Sequence, residues 1–175
     1  MRERELRRRC RRLLNELDIR PPLEVTELCR KLGEQRGRPI RLVEHPIPVP
    51  GPFGVWIATE TADYILYQQH TSRSHQDHIV LHEIGHMIAG HRGEEQDNEV
   101  IAGLLPGAEP AAARNALPTL MSRTSYDNEH ELEAETVATI ILEWASVLDR
   151  VVGRASSDAT AAKMGTALGD RLGWL

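Results

Sequence analysis

Apolar residues recur along this chain at two spacings, and each switch between them marks a new element. Over residues 3–18, Leu6, Leu13, Leu14 and Leu17 return at helical intervals among Arg7, Arg8, Arg9, Arg11 and Arg12. That is an amphipathic helix, and Pro21–Pro22 must stop it. A second helix starts near Thr26 and runs to about Leu32, with Gly33 as its stop. The period then falls to two: Pro39 to Glu44 alternates as a strand, and a proline-rich loop follows from His45 to Pro52. Phe53–Thr59 and Asp63–Gln68 read as two more strands, joined by the short connection Glu60-Thr61-Ala62. Helical spacing resumes from about Ser74 to Ala89 and closes at Gly90, with Val80, Ile84, Met87 and Ile88 forming the apolar stripe. Pro106, Gly107, Pro110 and Pro118 interrupt residues 93–127, which leave room for a short helix at 95–104 and otherwise read as a flap near a cleft. A long helix over 128–149 and a last one over 158–170 complete the pattern.

Length and composition narrow this to one globular domain of 175 residues with an aliphatic core. One Phe, three Trp and three Tyr are too few for an aromatic core, and Trp56, Trp144 and Trp174 read as packing anchors. No apolar run is long enough to span a bilayer. The charged start Met1-Arg2-Glu3-Arg4-Glu5 is not followed by the apolar stretch of a secretory signal, and Cys10 and Cys29 lack metal-ligand spacing. These features lead us to expect a cytoplasmic protein with reduced structural cysteines and no membrane partner. Charge is uneven: residues 1–41 carry a net +6 and the remainder −11. Acidic residues are mixed into the basic helix and no aromatic platform accompanies it. A solvated helix face is therefore expected there, not direct nucleic-acid binding.

Chemistry concentrates at His82-Glu83-Ile84-Gly85-His86. Residues i and i+4 of a helix lie about 40° apart around the axis and about 6 Å apart along it, so the two imidazoles can aim at one point. A His-Glu-x-x-His helix can hold zinc and activate its water, with Glu83 beside the pair as general base. Glu83 sits too far round the helix to be an equal third ligand. Catalytic zinc needs one more protein ligand from another element. The acidic run Glu129-His130-Glu131-Leu132-Glu133-Ala134-Glu135 supplies candidates. Ala134, Ala138, Ile141, Leu142 and Ala145 form a stripe whose alanines allow a close helix approach, and Glu131 lies one turn before Ala134. Glu131 is the expected ligand, Glu133 and His130 are its rivals, and Glu135 can orient a ligating imidazole. Tyr126 and His130 are candidate donors for a developing oxyanion. Tyr64–Tyr67 would align a substrate as an added strand if it lies at a sheet edge. His75 and His78 read as capping or exposed residues, and His91 as a surface charge beyond the helix end.

His82-Glu83-Ile84-Gly85-His86, followed by Glu131-Leu132-Glu133-Ala134-Glu135-Thr136-Val137-Ala138, resembles the ImmA/IrrE family of zinc metallopeptidases. The resemblance covers roughly residues 20–145. Glu135 stands where that family has Asn or Asp, and Val137 where it has Phe. The resemblance implies that Glu131 is the third ligand of a Zn²⁺ ion held with His82 and His86. It also implies an α+β, zincin-like fold. This would be a small, mostly antiparallel three-stranded sheet packed on the metal-binding helix and a second ligand-bearing helix, with N-terminal helices. Residues 1–35 would be the basic helices, 36–150 the catalytic core and 151–175 a C-terminal helix of a single domain. The implied activity is zinc-dependent cleavage of a regulatory protein, a separate helix-turn-helix repressor, and hence a part in transcription regulation. A different class of function fits the same residues: a non-catalytic zinc-containing module that controls a DNA-binding partner or acts in a toxin–antitoxin-like pair.

Overall fold

The computed structural model describes residues 3–48, 53–92, 94–95, 102–104 and 128–155. In chain order these form α1 (Glu3–Glu16), α2 (Val25–Arg36), β1 (Ile40–His45), β2 (Gly54–Ala58), β3 (Asp63–Gln68), α3 (Arg73–Ala89), β4 (Glu94–Glu95) and α4 (Asn128–Ala155). The class is α+β, as expected, but the sheet is not mostly antiparallel. Its order is β1-β3-β2-β4. Only the β2–β3 hairpin is antiparallel, while β1–β3 and β2–β4 are parallel. The physical cause is the position of β3. The chain leaves β1 and lays down β2 one strand-width away, and the hairpin then returns β3 into the gap, in the same direction as β1. Local alternation carries no record of that insertion.

β3 is therefore the central strand. All six of its residues are buried, and it pairs with β1 on one side and β2 on the other. Tyr64–Tyr67 has no free edge to offer a substrate, so the strand-addition role considered for it falls away.

One helix limit and one helix face also differ from expectation. α2 runs through Gly33 and ends at Gly37, so Gly33 is an interior residue and not a stop. α3 does not divide into an apolar stripe and an open histidine face. Ile79, Val80, Leu81, Glu83, Ile84, Gly85, His86, Met87 and Ile88 are all buried. A helix covered nearly all round is a core helix, and α3 packs against α4, the sheet and both N-terminal helices. Ser72 starts it by accepting a hydrogen bond from the His75 backbone N–H.

One core joins all four helices to the sheet. Leu6, Cys10, Leu14 and Leu17 of the first helical segment meet Leu28 and Leu32 of α2, Ile84 and Ile88 of α3, and Val137, Ile141 and Trp144 of α4. Each such fully buried aliphatic side chain contributes about 2 kcal/mol relative to exposure. Leu142, placed on the apolar stripe by its spacing, is instead partly exposed, and Val137, Ile140 and Trp144 widen the buried face. Cys10 and Cys29 are free and buried, and burial pushes both thiols up to about 12. On α1, Arg7 reaches Glu143 at 3.4 Å and Arg9 donates to the Ala89 carbonyl at 3.4 Å, while Arg4, Arg8, Arg11 and Arg12 face solvent. No helix among the described residues is long and apolar enough to cross a membrane. Tyr126, most of 93–127 and the expected helix at 158–170, with Trp174, lie outside the described residues; Glu94–Glu95 is a strand and not the start of a helix.

The far end of the sheet is locked by one carboxylate. Asp63 is fully buried, accepts from Trp56 Nε1 at 3.1 Å and meets Arg36 and Arg38 at 3.3 Å each. Replacing it strands the indole N–H inside the protein. Asp63→Ala is expected to cost about 2–3 kcal/mol in a urea titration, and an unchanged midpoint would show that the network carries no stability.

Candidate metal centre

Helices α3 and α4 share the most extensive helix–helix contact of the fold, and its closest point is set by two small residues. A Cβ added to Gly85 would lie 2.5 Å from the Ala134 carbonyl oxygen and 2.9 Å from its Cα. Only glycine permits that approach. The crossing places Glu131, one turn before Ala134, over the imidazoles that flank Gly85. His82 Nε2 and His86 Nε2 are 3.2 Å apart. Glu131 Oε2 lies 3.3 Å from His82 Nε2, and Glu131 Oε1 lies 3.5 Å from His86 Nε2. These three residues form the one His/Cys/Asp/Glu group among the described residues whose donor atoms converge closely enough to hold a metal ion.

The separations are a test of fit. Donors about 2.0–2.1 Å from a tetrahedral zinc lie roughly 3.3–3.4 Å from one another, which is the spacing found here. Two imidazoles and a carboxylate also suit zinc chemically. His86 is fully buried. Burial, helped by the neighbouring His82, His91 and His130, pushes its pKa down to about 3, so at neutral pH the ring is the uncharged form that a cation requires.

Glu83 sits where a proton acceptor would be useful. It is buried at the floor of a cleft of about 320 Å³ that His82, His86 and Glu131 also line, with Phe53 and His78 on its walls. Its carboxylate accepts a hydrogen bond from the Trp56 backbone N–H, whereas Oε2 is buried without a hydrogen-bond partner. Burial, then the Glu131 carboxylate, raises its pKa to about 8 against the opposing Trp56 contact.

The surrounding acids divide by the histidine they serve. Glu135 Oε2 lies 3.3 Å from His82 Nδ1 and 3.2 Å from His78 Nε2, so it braces His82 from behind. Glu133 and His130, the rival ligands, do not join the cluster. Glu133 Oε2 contacts His91 Nε2 at 3.0 Å, and the His130 ring packs on His91 with centroids 4.1 Å apart. His75 bonds Thr71 Oγ1 at 2.8 Å and packs against Phe53. His91 is the residue that spacing misplaced. Gly90 adopts φ 86°, and the His91 N–H bonds the His86 carbonyl at 3.0 Å, so the chain folds back and the ring lies beneath the helix instead of on the surface. The Gly90-His91 pair at a helix end was the available signal, because a left-handed glycine cap reverses the chain direction.

No family model, curated protein or solved structure matches this chain. The resemblance to the ImmA/IrrE metallopeptidases therefore rests on the two sequence motifs alone.

Two expectations follow. Gly85→Ala forces α3 from α4 at a backbone contact that cannot yield. It should cost about 2 kcal/mol in a denaturant titration; a variant with wild-type stability would refute the tight crossing. The second concerns the metal-free protein. Glu83 holds its proton from its ordinary 4.5 up to about 8 only when folded, and His86 takes one between 6.5 and about 3 only when unfolded. Stability should thus be flat between about pH 4.5 and 6.5. It should fall on either side by about 1.4 kcal/mol per pH unit, the alkaline fall ending near pH 8. Urea titrations across this range should show the alkaline fall vanish in Glu83→Gln; its persistence would remove Glu83 as the cause.

Proposed function

We propose that this chain is a zinc-dependent endopeptidase of zincin-like fold, with His82, His86 and Glu131 as the metal ligands and Glu83 as the general base. The observation that carries this reading is the convergence of three donors at 3.2–3.5 Å beside a buried carboxylate oxygen with no hydrogen-bond partner. A zinc ion held there would supply the Lewis acidity that acidifies a water and polarises a carbonyl.

The remaining work falls to the chain. Glu83 Oε2 accepts a proton from the water whose oxygen attacks the peptide carbonyl carbon. It returns that proton to the nitrogen as the carbon–nitrogen bond breaks. A pKa near neutrality suits a group that must take and give a proton in one cycle, and a nearby divalent cation favours its ionised form. Glu135 keeps His82 in the tautomer with Nε2 unprotonated by accepting its Nδ1–H. Gly54 lines the cleft, and among the described residues the outer edge of β2 is paired only at Ile57 and Ala58. An extended peptide laid along that edge near Gly54 would pass the ligand cluster. By the resemblance in its motifs, the substrate is a separate helix-turn-helix repressor in the cytoplasm.

Glu83→Gln keeps the side-chain shape and removes the base. It should retain one zinc per chain and lower cleavage of the repressor by at least about 10²-fold, followed by gel analysis of fragments. If the repressor is still inactivated at the wild-type rate without being cut, control by association in a non-catalytic module replaces proteolysis.

A further inference from the structure

Beyond the ligand set, the geometry points to Glu133 and His91 as positioning residues: a buried carboxylate–imidazole relay that fixes the tautomer of His86. It rests on the metal-site reading proposed above. Glu133 Oε2 lies 3.0 Å from His91 Nε2, and His91 Nδ1 lies 2.9 Å from His86 Nδ1. Both relay side chains are withdrawn from solvent, His91 at 5 % and Glu133 at 10 % exposure.

With Glu133 as the ionised carboxylate and His91 as the neutral ring, which the relay requires, its direction follows from hydrogen-bond inventory. An ionised carboxylate only accepts, so His91 must donate from Nε2. A neutral imidazole that donates from Nε2 has only a lone pair at Nδ1. His86 must then donate from its own Nδ1, and its Nε2 is left unprotonated. That nitrogen is the one that faces His82 Nε2 and Glu131. The relay thus delivers a lone pair to the metal-facing atom of a ring that has no solvent access with which to correct its tautomer. His82 receives the same service from Glu135 directly. For His86 the acid lies one imidazole further away, and His91 bridges the gap. The His130 ring, stacked on His91, limits rotation of the bridging imidazole.

Sequence alone does not suggest this role, because Glu133 stands beside the ligand candidates and His91 beyond the helix end. Its consequence is specific. Loss of the acceptor at either step frees His86 to carry its proton on Nε2, where it competes with the metal. Carboxylates and their partners behind a ligating imidazole are typically worth 10–100-fold in metal affinity.

Two-bond ¹H–¹⁵N correlation spectra of the metal-free full chain test this directly. His86 is expected as the Nδ1–H tautomer and His91 as the Nε2–H tautomer; a proton on His86 Nε2 overturns the relay. Zinc affinity, read by competition with a chromophoric chelator, should fall 10–100-fold in Glu133→Leu and in His91→Phe. Glu133→Gln retains an acceptor oxygen and should recover to within a few-fold of wild type. Circular dichroism checks that each variant is folded, and the wild-type tautomers stand as a test even if one is not. Affinities within twofold of wild type in folded Glu133→Leu and His91→Phe also overturn the relay. Failure of the wild-type chain to bind zinc, with His86 and His91 in the expected tautomers, would instead count against the metal site and leave the relay standing.

Discussion

The close crossing of α3 and α4 at Gly85 and Ala134 is the constraint on which the candidate site depends. His82 and His86 are paired by one helix turn and need nothing further to face the same point. Glu131 belongs to another helix, 45 residues beyond His86, and reaches them only because two backbones touch where no side chain intervenes. A bulkier residue at position 85 would separate the helices, and the carboxylate would move out of range before either histidine changed. The same crossing sets Glu131 against buried His86, whereas Glu83 is buried on the other side, against Gly54 and the Trp56 backbone of β2. Helix crossing and sheet packing together set the ligand geometry, the neutral state of an imidazole and the high proton affinity of a carboxyl group.

Burial on this scale is costly, and the fold offsets it locally. Glu83 takes a backbone N–H from β2, His86 meets His91, and His91 meets Glu133. Each polar group is satisfied by an element packed for another reason. At the site the exception is Glu83 Oε2, left without a hydrogen-bond partner at the cleft floor; among the described residues Arg38 Nε is the other such buried side-chain atom. Buried polar atoms normally find partners, and one that does not, beside three convergent metal-type donors, is where chemistry is to be sought. At the other end of the sheet Asp63 is as deeply buried but fully engaged by Trp56, Arg36 and Arg38, which marks it as structural.

Local signals in the sequence were strong, and the site was legible to the extent that it is local. The pairing of His82 with His86 follows from helix pitch, and Glu131 could be preferred over Glu133 by its place one turn before Ala134. The hairpin of β2 and β3 was visible as two runs joined by a short connection. Strand order was not, because insertion of β3 between β1 and β2 is decided by contacts distant in sequence. Gly33 reads as the stop of α2, and the stop is Gly37. The choice between them is made by the packing of α2, which carries the helix past the first to the left-handed cap at the second. The contrast between Leu142, partly exposed, and Val137, buried, reflects how widely α4 is enclosed, which helical periodicity leaves open. His91 was misread because its distance from His86 along the chain says nothing of the turn at Gly90 that brings the two rings together.

The central claim is that one cation is shared by ligands from two helices, and calorimetric titration of the metal-free chain with zinc tests it most directly. The account predicts one ion per chain and a loss of at least about 100-fold in affinity for Glu131→Ala, from removal of one of three protein ligands. It would be contradicted by a wild-type chain that takes up no zinc, or by a Glu131→Ala variant that binds as tightly as the wild type.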